Sequence, residues 1–128
     1  MQDEKKSGGA GFIAGLKSEL IQVLPHQTDH YESSRHLYIT RVNGASYEQR
    51  GLIIEKMAER GISCNVHYKP LPLLTAYKNL GFDIKDYPNA YRYFENEVTL
   101  PLHNLLTDED IQYIIQNYKE IVQEVLEA

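Results

Sequence analysis

Across Gly61 the hydrophobic pattern of this chain changes period, and that change restricts the fold to one that mixes helices with strands. Before Gly61, Ser46 with Gln49 three residues on forms a capping-box start, and Leu52, Ile53, Met57 and Ala58 follow at helical spacing. Gly61 supplies the left-handed residue that ends such a helix. After it, Ile62, Cys64, Val66 and Tyr68 alternate with Ser63, Asn65, His67 and Lys69, the period-two pattern of a strand with two unlike faces. Pro70 cannot donate a ladder hydrogen bond and closes the run. The spacing predicts that Asn65, His67 and Lys69 emerge on one side near a strand end, with Tyr68 on the opposite face. An ordinary strand with a solvated face has the same pattern, so spacing alone assigns no role.

The rest of the chain follows the same logic. Phe12, Ile13, Leu16, Leu20 and Ile21 predict a helix over residues 10–24, stopped by Pro25, with a polar loop over 26–34. Residues 37–42 read as a strand ended by the Asn43-Gly44 turn. Strand, helix, strand in that order permits a right-handed crossover that leaves the strands of 37–42 and 62–68 parallel, adjacent or separated by a neighbouring insertion. A loop into a short helix spans 71–80 and ends at Gly81. Asp86 is the expected cap of the next helix, with Pro88 in its first turn and Tyr91, Phe94 and Val98 on its inner face. A short strand over 98–102 is interrupted by Pro101, which suggests an edge or a strand end. Thr107 and Asp110 begin a long helix with an apolar stripe of Ile111, Ile114, Ile115, Tyr118, Ile121, Val122 and Val125. The expected class is α/β (α+β): a small sheet of three or four strands with packed helices.

A length of 128 residues suits one domain with a real core. The net charge of −5, with scattered basic residues, argues against a nucleic-acid partner. The single cysteine excludes an internal disulfide and fits a cytoplasmic setting. Cys64 falls with the inward residues of its strand and reads as a small buried hydrophobe. Ten tyrosines and no tryptophan suit a cleft or interface, although core edges take many of them. No apolar run has membrane-spanning length, and residues 1–9 read as a flexible tail without a signal's apolar core. His26, Asp29, His30 and His36 are metal-type ligands, but they fall in a loop and only the first three are closely spaced, which disfavours a metal site. Residues 8–11 lack the lysine and serine of a phosphate-binding loop. Asp108, Glu109 and Asp110 are explained by helix capping.

Several ordered blocks carry a resemblance. They are G-I-S-C-N-V-H-Y-K-P at 61–70, T-L-P-L-H-N-L-L-T-D-E-D at 99–110, the strand His36-Leu37-Tyr38-Ile39-Thr40-Arg41-Val42, the segment Ala76-Tyr77-Lys78-Asn79-Leu80-Gly81-Phe82, and Tyr87-Pro88-Asn89-Ala90. In this order and spacing the chain resembles, over about residues 34–126, the carboxy-terminal region of the DegT/DnrJ/EryC1/StrS aminotransferases. Residues 1–30 match that pattern poorly.

The resemblance implies the small domain of a fold-type I, pyridoxal-phosphate-dependent enzyme that aminates nucleotide-linked keto-sugars for polysaccharide or glycoconjugate synthesis. Residues 1–33 would then be a tail with a connecting helix and loop, and 34–128 the small domain. It implies substrate-side roles for Asn65, His67 and Tyr68 in the N-V-H-Y block, with Lys69 placed to meet a diphosphate as a point charge. Many family members carry a further histidine in a P-x-H arrangement, where this chain has Pro70-Leu71-Pro72. By position, His103 at a strand end could face the cleft, and an ordinary surface-loop histidine fits the same place at least as well. The cofactor lysine and its partners belong to the family's large domain, and Lys17, Lys56, Lys69, Lys78, Lys85 and Lys119 lie in no matching motif. The expectation is a piece without catalytic residues of its own and with no cofactor bound, inactive alone. Its parent would be a homodimer using pyridoxal phosphate, a nucleotide sugar and an amino-acid donor, with no nucleic-acid or membrane partner. The rival expectation is a stand-alone α/β ligand-binding or interaction module.

Overall fold

The computed structural model describes residues 19–24, 28–32, 37–101 and 105–127. Among these it has strands β1 (Ile21–Val23), β2 (Tyr38–Val42) and β3 (Glu97–Leu100), and helices α1 (Tyr47–Glu59), α2 (Thr75–Asn79), α3 (Pro88–Glu95) and α4 (Asp108–Glu127). The strands form one antiparallel sheet in the order β1-β2-β3. The molecule is of the α/β class, a small three-stranded sheet with packed helices.

Register sorts the side chains into two faces. Tyr38 pairs with Leu100 and Thr40 with Val98, while Ile39 pairs with Thr99 and Arg41 with Glu97. Tyr38, Thr40, Val42, Val98 and Leu100 face the core, which α1 fills with Ile53 and Met57 and α4 with its whole predicted stripe. Each such buried aliphatic or aromatic side chain contributes about 1.5–3 kcal/mol. Inside this core Thr40 Oγ1 donates to Val98 O at 2.7 Å, so it accepts from Tyr118 OH at 2.6 Å. Burial pushes the Tyr118 phenol well above its ordinary range, although the bond to Thr40 opposes the shift.

Several local signals act as expected. Ser46 caps α1 in a complete capping box with Gln49. Gly61, at φ 78°, ends α1 with its N–H on Ala58 O, while Ile62 N–H returns to Met57 O. Thr107 and Asp110 exchange backbone and side-chain bonds at the start of α4. Gly81, at φ 97°, follows α2.

Other expectations are corrected. Residues 21–23 form β1 instead of the end of a helix, because Ile21 gains a partner in Val42 and a buried seat in the core. The remainder of the helix expected over 10–24 lies largely outside the described residues. Leu52 and Ala58 are exposed on α1, and Arg50 is buried in their place. Asp86 lies in a 3₁₀ turn (Ile84–Asp86), and α3 begins at Pro88 with no side-chain cap. Residues 62–68 make a single antiparallel bridge, Asn65 to Thr99, instead of a regular strand. That bridge puts β3 between β2 and the 62–68 segment. Both neighbours of β3 are antiparallel to it, so they run parallel to one another with β3 interposed. β3 starts at Glu97 and is flanked on both sides, so Pro101 marks its end and not a sheet edge.

Candidate functional site

The face of the sheet turned away from α1 and α4 carries Ile39, Arg41, Glu97 and Thr99. The Gly61–Pro70 segment lies along β3 beside this face, held by paired backbone bonds: Asn65 N–H to Thr99 O at 3.0 Å and Thr99 N–H to Asn65 O at 2.8 Å. The predicted alternation holds as far as Asn65, with Ile62 and Cys64 buried and Ser63 and Asn65 exposed. Beyond it Val66 and His67 are both half-buried, and the His67–Tyr68 peptide is cis. Tyr68 is 72% exposed and does not pack on the opposite face. Its ring meets His67 edge-on, 4.5 Å between centroids, and both line one open cleft of about 340 Å³ with Ile39, Arg41, Tyr93 and Glu97.

His67 is the best-anchored member of the predicted set. Its backbone N–H donates to Glu97 Oε2 at 2.9 Å, and its Nδ1 lies 2.9 Å from Thr99 Oγ1. Thr99 Oγ1 in turn donates to Glu97 Oε1. Glu97 is only 5% exposed. Burial raises its pKa, while the bonds from Thr99 and His67 and the charges of His67 and Arg50 pull the other way.

Arg50 holds this corner from behind. Its Nη1 donates to Phe94 O at 2.9 Å and Glu97 O at 3.2 Å, and its guanidinium lies over the Phe94 and Tyr47 rings. Burial lowers its pKa, against the opposing influence of Tyr47 and Glu97. Across the cleft, Arg41 donates to Asn96 Oδ1 at 3.1 Å and Arg92 O at 3.3 Å and stacks on Tyr93 at 4.3 Å. Its charge is thereby fixed on the cleft wall.

The structure brings His67 and Tyr68 together on the cleft, while Asn65 and Lys69 are exposed beside it and do not line it. Cys64 is buried, and desolvation pushes its thiol up to about 12, which removes it as a nucleophile. His26, His36 and His103 lie outside the described residues. Among the described residues no group of three or more His, Cys, Asp or Glu is placed to hold a metal ion, and no helix is long and apolar enough to cross a membrane.

Sequence reasoning missed Glu97, Thr99, Arg41 and Tyr93. A signal for two of them was present: Glu97 and Thr99 alternate with Val98 and Leu100, which puts two polar groups on one face of β3. None of the described lysines fits a Schiff-base cofactor site. Lys56 pairs with Glu124, Lys69, Lys78, Lys85 and Lys119 are exposed, and none of them lines the cleft; Lys17 lies outside the described residues.

Residues 10–119 match the DegT/DnrJ/EryC1/StrS aminotransferase family, so the match begins well upstream of residue 34 and includes part of the segment expected to match poorly. A proposed sugar aminotransferase of Streptococcus pneumoniae, in its PLP-form, is 54% identical with a TM-score of 0.95, covering 98% of this chain and 32% of that one. A UDP-4-amino-4,6-dideoxy-N-acetyl-beta-L-altrosamine transaminase of Campylobacter jejuni is 31% identical over 97 residues, 76% of this chain and 26% of that protein. An uncharacterized protein of Methanocaldococcus jannaschii is 32% identical over 104 residues, 80% of this chain and 27% of its own length. The chain thus spans about a quarter to a third of the proteins it matches.

Proposed function

This chain belongs to the DegT/DnrJ/EryC1/StrS aminotransferase family, and on that footing we propose that it is the carboxy-terminal small domain of a transaminase acting on a nucleotide-linked keto-sugar. In this reading residues 34–128 are the small domain, and β1 is where the connecting segment of residues 1–33 joins its sheet. The observation that carries it is the seat of His67: an imidazole from the family's N-V-H-Y block, anchored through backbone and ring, on a cleft walled by Arg41 and two tyrosines.

His67 and Tyr68 contact the sugar nucleotide, and Asn65 and Lys69 flank its path. Pyridoxal phosphate, where bound, supplies the amino-transfer chemistry. Its lysine comes from the large domain of the parent enzyme, since no described lysine here fits that role. This chain's own residues bind and orient substrate. The parent is a cytoplasmic homodimer that takes its nitrogen from an amino-acid donor and feeds surface polysaccharide synthesis. Support for the sugar substrate comes from the Campylobacter jejuni transaminase and from a spore coat polysaccharide biosynthesis protein of Bacillus subtilis, 28% identical over 104 residues.

In the full-length parent, His67→Ala is expected to raise KM for the sugar nucleotide about tenfold, a loss of about 1.4 kcal/mol in binding, with a smaller change for the amino donor. The opposite ordering in steady-state kinetics would count against the role of His67. The chain alone is expected to show no transaminase activity. Pyridoxal phosphate added to it, followed by borohydride, should fix no stoichiometric adduct on a single lysine; mapping such an adduct by mass spectrometry would refute the division of labour.

A further inference from the structure

The hydrogen bonds around His67 fix more than its position. Thr99 Oγ1 carries one hydrogen and lies 2.5 Å from Glu97 Oε1, which can only accept when Glu97 is ionised. The hydroxyl therefore donates to Glu97 and must accept from His67 Nδ1, 2.9 Å away, so Nδ1 bears the hydrogen. Glu97 Oε2 accepts the His67 backbone N–H, which ties main chain and ring to one carboxylate.

We propose that Glu97 and Thr99 are positioning residues that hold His67 in the Nδ1–H tautomer and leave the Nε2 lone pair in the cleft as a hydrogen-bond acceptor. The group His67 recognises is then a hydrogen-bond donor, the hydroxyl or amine of a sugar, and not an unprotonated phosphate oxygen, which would need a donor. The other polar groups near the ring do not compete for this role. Tyr68 meets the imidazole through a T-shaped ring contact, Arg41 is engaged by Asn96 and Arg92 O, and Tyr93 stacks under Arg41. Among the described residues Nε2 has no hydrogen-bond partner. This inference deepens the substrate-side reading of His67 and rests on it for the nature of the ligand, whereas the proton arrangement rests on the hydrogen-bond geometry and an ionised Glu97.

Nitrogen-15 correlation spectra of the histidine rings, recorded on the intact chain near pH 8 where imidazole is neutral, decide the matter. In the wild type, His67 Nδ1 is expected in the protonated class of shifts and Nε2 in the unprotonated class. Thr99→Ser keeps the hydroxyl and should keep the pattern. Thr99→Val removes the acceptor and should let the two nitrogens average. Glu97→Gln should invert it, because the carboxamide N–H donates to Thr99, whose hydroxyl then donates to Nδ1 and leaves the hydrogen on Nε2. A purely structural role predicts no such inversion.

A wild-type His67 carrying its hydrogen on Nε2 would overturn the proposal, as would a Thr99→Val spectrum unchanged from wild type. Should Thr99→Val not fold, the wild-type and Thr99→Ser spectra decide alone. An Nδ1–H tautomer together with an unaltered KM in His67→Ala would instead sink the substrate role and leave the positioning pair intact.

Discussion

Thr40 and Thr99 sit on opposite faces of the same sheet, and each hydroxyl bridges two polar groups, yet one chain is closed and the other is open. On the core face, Tyr118 OH donates to Thr40, which donates to Val98 O, and all three groups are buried. On the cleft face, His67 donates to Thr99, which donates to Glu97, and the far ring nitrogen still faces the cleft. Both chains satisfy buried oxygens that would otherwise cost about 1–3 kcal/mol each. Only the open one can extend to a ligand. A polar network enclosed on every side specifies a fold; the same chemistry with one exposed terminus specifies a site.

The largest expected effect comes from the closed side. Ile121→Ala, at a fully buried position on α4, should destabilise the fold by about 2–5 kcal/mol in urea unfolding and leave the His67 ring signals of the remaining folded molecules in place. A selective change at His67 would show that the faces are not separable. Arg50→Ala sharpens the boundary, because Arg50 is buried with the core but holds Glu97 O. It should cost about 2–4 kcal/mol and also shift the His67 resonances; loss of stability without that shift would assign Arg50 to the core alone. Tyr118→Phe strips the donor from Thr40 and should cost about 1–2 kcal/mol with no change at the cleft, read by chemical unfolding and ring spectra together.

The smallest effect is a dependence on pH. Glu97 holds its proton more tightly folded than unfolded, since burial raises its pKa above the ordinary value of 4.5. Between pH 4.5 and the raised value the folded state therefore binds more protons than the unfolded state, so this group's contribution to stability falls through that window and is level above it. Urea midpoints measured across that window should fall less steeply for Glu97→Gln than for wild type. An identical slope in both would mean that Glu97 is not held in the environment described.

Much of the fold was legible because it rests on local chemistry. The capping boxes at Ser46 and Thr107, the helix stop at Gly61 and the stripe of α4 each depend on residues within one or two turns. The failures were long-range. Ile21 belongs to a helical pattern until Val42 offers it a strand partner. Leu52 looks like a core residue until α4 covers the side of α1 that carries Ile53 and Met57. The site was legible in part: His67 stood out through its motif, whereas Tyr68 was expected on the wrong face and Glu97 and Thr99 were passed over.

By itself the sequence determined the helices with strong caps and stripes, the burial of Cys64 and the block that contains His67, because periodicity and capping are properties of neighbours along the chain. Tertiary structure alone decided that β3 enters between β2 and the 62–68 segment. That insertion sets Glu97 and Thr99 beneath the imidazole and turns a histidine at a strand end into an oriented acceptor. Its physical reason is that pairing across 32 residues, from His67 to Thr99, is fixed by register and shared burial, which no local pattern encodes.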